Sequence, residues 1–518
     1  MKALQRALAS PGWLLAAVFI AFFWLLGDGA LYDIDEGAFS EATREMFERG
    51  DFAATWLNGE PRYDKPILIY WLQALSTYLL GFTEFALRLP SALAASLWAW
   101  AVWGFARRRL GAEAALAAAL TLTFSLFVVI EGRAATADAL LNLFIALTFF
   151  DMWRWMERPR RRILARVYLW LALGLLTKGP VAVALPLLAS LVYMAGLGRL
   201  RLWWRALRDP WGWALLLLIV LPWGVAVYRD QGWAFFEGFL LQHNLERFAD
   251  TLEGHGGHWW YYLLAAPLVV WPFSGWLVPV ARALRADWAD PLGRFLWSWF
   301  GVVLVLFSLS NTQLPHYLLY GATPLFLLMG RHREALRNRW VAFGPPLLLL
   351  VLLAALPEIL ALAARHGHGE YPRAIFAYGA RSLGWGYRLP VLAALAGVLL
   401  LAVGHHLPTW RALTISGFFT TLALNGAFGP AFFRIYQGPV KEAGLIAREL
   451  GRPAVFFESR FPSFSVYRRA VTPKAVPGPG ELALTRVDRL KDLPVRLGDR
   501  GYRVIYRRGG IALIQVDE

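Results

Sequence analysis

Two short polar clusters frame residues 32–66, just after the first apolar run: Asp35-Glu36 near the start and Tyr63-Asp64-Lys65-Pro66 at the end. Acid and base at the depth of a bilayer surface are costly to keep without a use. Carboxylates able to take a proton from a hydroxyl, set beside cations able to hold a phosphate, suit group transfer from a phosphate-bearing carrier. Further along, Asp138, Lys178-Gly179-Pro180, His243-Asn244, Arg247 and His316-Tyr317 interrupt other apolar runs. Each has a competing structural role. Asp35 and Glu36 can cap a helix or sit in a solvated loop, and Asp138, after Thr136-Ala137, stands where a span begins and can cap it. Lys178 can be a turn residue snorkelling to the surface, and Arg44 and Arg62 can simply meet lipid head groups.

The elements that must position these residues are membrane helices. The 518 residues are 58 % hydrophobic and 17 % charged, with 26 Trp and a mean hydropathy of +0.45, a composition outside the range of soluble domains. The net charge of +16 comes in short Arg clusters between apolar runs, the pattern of loops on an anionic leaflet. Membrane lipids and lipid phosphate, not nucleic acid, are therefore the expected acidic partners. The chain has no cysteine, so disulfides, thiolate nucleophiles and Cys-ligated metals are excluded. Lys2 and Arg6 precede the first apolar run and no clear cleavage site follows it, so a retained anchor with a cytoplasmic amino terminus is expected.

At roughly 20 apolar residues per span, hydropathy predicts about thirteen transmembrane helices, an all-α polytopic domain over residues 1–431. Basic clusters at Lys2/Arg6, Arg107-Arg108-Arg109, 158–166, 199–208, 282–294, 331–339 and Arg411 can all face the cytoplasm, two spans apart. The loops 32–88, 131–138, 178–180, 228–258, 311–317 and 365–388 then share the opposite side, and nearly every distinctive polar residue falls there. Within the first outer loop, 67–80 reads as a helix lying in the interface, roofing a cavity. After a last span at about 413–431 the pattern becomes mixed: 439–450 reads as a helix and 454–458, 465–469, 502–506 and 511–516 as strands. Residues 432–518 are thus expected to form a small α/β domain outside the cytoplasm.

The ordered set Asp35-Glu36, Ala42-Thr43-Arg44-Glu45-Met46, Leu57-Asn58-Gly59, Tyr63-Asp64-Lys65-Pro66, Ala137-Asp138, Leu176-Thr177-Lys178-Gly179, His243-Asn244-Leu245-Glu246-Arg247-Phe248 and Leu314-Pro315-His316-Tyr317 resembles the bacterial aminoarabinose transferases that modify lipid A. These are relatives of the protein O-mannosyltransferases, within the GT-C class of polyprenyl-phosphate-dependent glycosyltransferases. The chain departs from the family pattern at Ala38-Phe39, where an Arg-Tyr is usual, at Asp64, where Glu is usual, and at Gln313, where Lys is usual. The resemblance implies an inner-membrane, multi-pass glycosyltransferase moving a sugar from a polyprenyl-phosphate donor to a lipid, glycan or protein acceptor at the outer face.

Asp35 matches the first carboxylate of the family and is the expected general base, with Glu36 as alternate and Asp138 supporting acceptor or sugar. Lys65, Arg247, Lys178 and Tyr63 are expected to hold the donor phosphate, and His243, Asn244, His316 and Tyr317 to contact acceptor or sugar. The resemblance also raises a divalent metal, Zn or Mg, between Asp64 and His243, although no dense ligand motif is present and no cofactor is required. A transporter or flippase of lipid-linked sugars is the alternative class, and it needs ionisable groups spread across the bilayer rather than gathered at one surface.

Overall fold

The computed structural model describes residues 11–246, 258–498 and 500–518. The first apolar run forms helix α1 (Pro11–Val18), widens into a π-helical turn at Phe19–Phe23 and leaves helical geometry at Trp24. Of the first apolar run, residues 13–31, only the first half is therefore helical. After a turn, α2 (Asp35–Arg49) begins with Asp35 and Glu36 in its first turn, where negative charge complements the helix dipole. It stops at Gly50, whose φ of 67° suits a left-handed helix cap. A two-residue hairpin pairs Trp56 with Pro61 and Leu57 with Glu60, and the chain returns through α3 (Leu68–Leu80).

Helix α3 is amphipathic with its polarity reversed. Gln73, Ser76 and Thr77 are buried, while Leu75, Tyr78, Leu79 and Leu80 are exposed, the arrangement of a helix whose outer face meets lipid.

The bundle continues with α4 (Glu84–Arg109), the pair α5 (Ala112–Phe124) and α6 (Leu126–Arg133), then α7 (Asp138–Glu157), α8 (Arg161–Lys178), α9 (Val181–Gly196), α10 (Leu200–Leu207) and α11 (Pro210–Phe236). It closes with α12 (Tyr261–Val269), α13 (Pro291–Ser308), α14 (Ala322–Arg331), α15 (Arg339–Ala354), α16 (Trp385–Val403), α17 (Thr409–Ala423) and α18 (Gly429–Tyr436). Among the described residues five helices are long and apolar enough to cross a membrane, or eight when three pairs bent by 58–117° each count as one span. The count of about thirteen expected at roughly 20 residues per span is not reached on these terms. Two helices escape the criterion because they carry charge: α7 has Asp138, Asp151, Arg154 and Glu157, and α8 has Arg161, Arg162, Arg166 and Lys178.

Those charges sort to the helix ends. With 1.5 Å per residue, α7 places Asp138 and Glu157 about 30 Å apart. Near the Glu157 end, Asp151 is held by Arg154, Arg166 and the Trp170 indole, Glu157 pairs with Arg109, and Glu113 pairs with Arg333 and Arg411. The candidate site residues stand at the other end.

The helix expected to end at about 431 continues to Tyr436, past the division expected at 431/432, and Gln437 separates it from the next helix. Beyond it, α19 (Gly438–Leu450) and α20 (Pro462–Arg468) pack on a four-stranded sheet of β3 (Ala454–Phe456), β4 (Leu482–Arg486), β5 (Tyr502–Arg508) and β6 (Ile511–Val516), in the order β3-β4-β6-β5. Strands β3 and β4 are parallel and the other pairs antiparallel. Of the segment 465–469, expected as a strand, 465–468 belongs to α20 and Arg469 is its left-handed C-cap. Pro462 at its first position presets the helical φ, and burial of 462–467 on every side hides any alternation. Strand β4 escaped the pattern for a related reason: it is central, its Leu482, Ala483, Leu484 and Thr485 are all buried, and it shows no period of two.

Candidate active site

The site is built on one buried ion pair. Arg88, in the second turn of α4, donates from Nε and Nη2 to the two oxygens of Glu36 at 2.8 Å each, and to the carbonyls of Leu26, Gly29 and Ala30 at 3.1, 2.8 and 3.0 Å. Those carbonyls belong to the non-helical stretch between α1 and α2, so the guanidinium supplies the donors that its backbone lacks. Glu36 also accepts from the amides of Tyr32 and Ala135, at 2.9 and 2.7 Å. A carboxylate offers about four lone-pair directions, and here all are taken. Glu36, expected as an alternate base, is 3 % exposed and ties α2 to α4 and to the approach to α7. A second tie runs from Thr43 to Gln73 at 2.8 Å, with the Gln73 amide donating to the Leu87 and Ala135 carbonyls.

This scaffold leaves Asp35 open. Its side chain is exposed, and among the described residues it makes no side-chain hydrogen bond, yet protein surrounds it at longer range, so it lines a recess. Desolvation and then the nearby Asp138 charge raise its pKa above the ordinary carboxylate value, while Lys178 and Arg62 pull it down and Asp64 adds to the rise. An accessible carboxylate with an elevated pKa is the state expected of a general base.

Asp138 begins α7 but does not cap it. Its Oδ1 accepts from Lys178 Nζ at 2.6 Å and from the Tyr320 hydroxyl at 2.9 Å, and Lys178 Nζ also lies 2.9 Å from the Tyr320 oxygen. All three are largely buried. Lys178 is therefore not snorkelling; it ends α8 pointed at the start of α7, with the rings of Tyr317 and Tyr320 5.9 and 5.7 Å from its ammonium. His316 and Glu131 stand among the charges around this pair.

The second cluster gathers beside it. Asp64 pairs with Lys65 through one oxygen and with Arg62 Nη2 through the other at 2.9 Å, so Arg62 serves Asp64 rather than a head group. Arg44 likewise serves Glu41 and Glu48. Tyr63 packs edge-on against Phe235, and a Cβ on Gly238 would meet the Tyr63 Cβ at 2.7 Å, so α11 and its extension press the loop into place. Arg247 lies outside the described residues, as do the side chains of His243 and Asn244. Both Asp64 oxygens thus lie on cations. Among the described residues no group of three or more His, Asp or Glu side chains is placed to hold a metal.

The structure thus brings Asp35, Asp64, Lys65, Asp138, Lys178, His316 and Tyr317 to one end of the bundle. Glu131 and Tyr320 join them without having been singled out, and Arg62 joins them although it was expected only to meet lipid head groups. Glu131 carried a signal, an acid closing the apolar stretch Leu126–Ile130. Tyr320 carried none, since a Tyr among Leu residues reads as packing until its hydroxyl partner is known.

A family model described as dolichyl-phosphate-mannose-protein mannosyltransferase matches residues 64–226. Undecaprenyl phosphate-alpha-4-amino-4-deoxy-L-arabinose arabinosyl transferases are similar in sequence: that of Edwardsiella ictaluri is 29 % identical over 391 residues, 72 % of this chain and 68 % of its own length. That of Pseudomonas paraeruginosa is 33 % identical over 374 residues, 66 % and 65 % of the two chains. The chain therefore spans about two thirds of the length of the curated relatives it matches. The crystal structure of ArnT from Cupriavidus metallidurans bound to undecaprenyl phosphate superimposes with a TM-score of 0.80 over 98 % of both chains at 21 % identity, which extends the common fold to the carboxy-terminal domain. With that fold along its whole length and that sequence kinship, the chain is a relative of the undecaprenyl-phosphate aminoarabinose transferases among the GT-C polyprenyl-phosphate glycosyltransferases.

Proposed function

We propose that this protein transfers a sugar from a polyprenyl-phosphate carrier to a hydroxyl or similar nucleophile of a lipid, glycan or protein acceptor at the outer face of the cytoplasmic membrane. The observation that carries this reading is the gathering, at one end of the bundle, of an accessible carboxylate, Asp35, with two cation-bearing clusters, Arg62-Asp64-Lys65 and Asp138-Lys178-Tyr320. Asp35 removes the acceptor proton as its oxygen bonds to the anomeric carbon, and the bond from that carbon to the phosphate oxygen breaks with its electron pair leaving on polyprenyl phosphate. Lys65 and Lys178 hold that charge in a desolvated site, where fixed cations stabilise it more than water does. Asp138 and Tyr320 keep Lys178 in place, and His316 and Tyr317 face the sugar or acceptor.

An apolar cavity of about 470 Å³ lies between α7, α8, α9, α10 and α11, with Leu175 and Pro180 at one end of its wall and Trp155, Trp203 and Trp213 toward the other, and it offers a prenyl chain room among these helices. The same bundle disfavours a carrier protein: α7 has no charged residue between Asp138 and Asp151 to step an ion or head group across. The relatives named above act on undecaprenyl phosphate-linked aminoarabinose, which makes that donor, with lipid A as acceptor, the first pair to test.

The reconstituted protein is incubated with undecaprenyl-phosphate aminoarabinose and lipid A, and in parallel with other undecaprenyl-phosphate sugars and glycan or peptide acceptors, with products read by mass spectrometry. Transfer from one of these donors, lost in Asp35→Asn, is the expected result. Failure to consume any polyprenyl-phosphate sugar, with protein that unfolds cooperatively, would overturn the proposal.

A further inference from the structure

We infer that the carboxy-terminal domain is a positioning element of the active site, acting through Asp33, which reaches across the chain to cap helix α20 and so fixes the helix that carries Asp35. The inference rests on the transferase role given to Asp35 above. It starts from a deficiency in α20. The residue at its N-cap position is Phe461, which has no side-chain acceptor, and Pro462 follows. The missing acceptor comes from a residue 430 positions away: Asp33 Oδ1 accepts from the Ser463 amide at 2.9 Å, and Oδ2 accepts from the Ser463 hydroxyl.

The grip on Asp33 is two-sided. Gln437, at the junction between α18 and α19, lies against it as well; with its amide turned to satisfy both partners, its nitrogen donates to Asp33 Oδ2 at 3.3 Å and its oxygen accepts from the Asp33 amide at 3.0 Å. Asp33 is 7 % exposed. Burial pushes its pKa up to about 7, and the two Ser463 hydrogen bonds pull against that rise, as donors aimed at a carboxylate do.

The approach of the two helices is as close as backbone allows. Gly37, in the first turn of α2, faces this contact, and a Cβ there would stand 2.0 Å from Asp33 Oδ1 and 2.6 Å from the Ser463 nitrogen. Any side chain at 37 is therefore a wedge between the domain and the catalytic helix. Around this centre, Ser465 donates to the Asn58 side chain at 2.7 Å, the Tyr467 hydroxyl accepts from the Leu31 amide at 2.7 Å and bonds Glu84 at 3.1 Å, and Lys441 pairs with Glu84. The membrane-domain partners in these bonds, Leu31, Asp33, Asn58 and Glu84, belong to the loop 31–66 or to the first turn of α4, while a separate contact joins Arg507 to Glu370 and sets Arg486 and Arg508 over the rings of Tyr371 and Tyr378. Asp35 lies two residues beyond Asp33 and two before Gly37. A shift of about 1 Å in such a group is enough to cost about 10²-fold in rate.

The test compares Asp33→Ala, Asp33→Asn, Ser463→Ala and Gly37→Ala in the full chain, reading turnover, the KM of donor and acceptor, and amide hydrogen exchange in peptides covering 35–49 and 462–469. Asp33→Ala and Gly37→Ala, one removing the cap and the other inserting a wedge, are expected to lower kcat about 10- to 100-fold with both KM values within about twofold of wild type. Exchange should rise together in both peptides. Asn is itself a good cap, so Asp33→Asn should keep kcat within about threefold, and Ser463→Ala should fall between the two. Faster exchange in 462–469 with unchanged kcat and unchanged exchange in 35–49 would overturn the inference. So would a fall in kcat equal in Asp33→Asn and Asp33→Ala. A wild type that transfers no sugar, yet shows the coupled exchange, would instead refute the transferase reading and leave the clamp standing.

Discussion

The contact between Lys178 and Asp138 separates a structural pair from a working one. At 2.6 Å and an effective dielectric of about 20, the two charges attract by about 6 kcal/mol before desolvation is counted. Both are largely buried, with side chains 12 % and 11 % exposed, so removing one leaves the other charged and hydrogen-bonded to the Tyr320 hydroxyl without its ion-pair partner. Breaking such a pair typically costs about 3–5 kcal/mol. Asp138→Asn and Lys178→Met should each lower stability by about that amount, measured by denaturant unfolding in detergent. The double variant leaves no orphaned charge and should recover most of the loss, giving a coupling energy of more than about 2 kcal/mol. Turnover should behave differently. Each single variant should be at least about 100-fold slower, as loss of one preorganised charge costs elsewhere, and the double variant should stay slow although its fold is restored. A double variant that recovers both stability and turnover to within about threefold of wild type would reduce the pair to scaffolding and refute its place beside the donor.

Asp35→Asn should lower turnover by about 10²- to 10⁴-fold without loss of stability, since the base is removed but no side-chain hydrogen bond is broken; near-normal turnover would dismiss the base. Because Asp35 works ionised and its pKa is raised, turnover should fall as pH drops through a value above the ordinary carboxylate range. The acid limb should move to lower pH in any residual activity of Asp138→Asn, where one of the charges that raises Asp35 is gone, and an unmoved limb would assign it to another group. Lys65→Ala should weaken binding of undecaprenyl phosphate at least tenfold by titration, and Lys65→Arg should retain part of it because the charge survives with a different geometry; equal affinities would remove Lys65 from the phosphate site. Orientation can be read with a membrane-impermeant thiol reagent on intact cells, since the chain has no native cysteine. Glu60→Cys and Lys474→Cys should label and Ala112→Cys should not, and the reverse pattern would put the recess on the cytoplasmic side.

Much was legible in the chain before any coordinates, and the reason is the bilayer. A lipid environment taxes charge so heavily that composition alone separates a polytopic membrane protein from a soluble one, and Arg-rich loops alone separate its two ends. That sorting placed Asp35, Asp138, Lys178 and His316 on one side, where the structure gathers them, and the helix at 67–80 was readable because its polar and apolar residues divide by face. What hydropathy could not count was spans that bend, as at α5 and α6, or that keep charge at their ends, as α7 and α8 do.

The division of labour within the acidic pair was likewise beyond the sequence. Asp35 and Glu36 are adjacent and chemically alike, and one hundred degrees of helical rotation sends Glu36 into Arg88 and leaves Asp35 facing the recess. Lys178 could be a turn or a ligand until Asp138 and Tyr320, from two other helices, closed on it. Asp33 drew no notice at all, because the helix it caps lies 430 residues away. Local sequence reports which face of an element seeks lipid, water or core. Which of two neighbouring carboxylates is satisfied, and by whom, is decided by donors that only the assembled bundle and its carboxy-terminal domain bring within 3 Å.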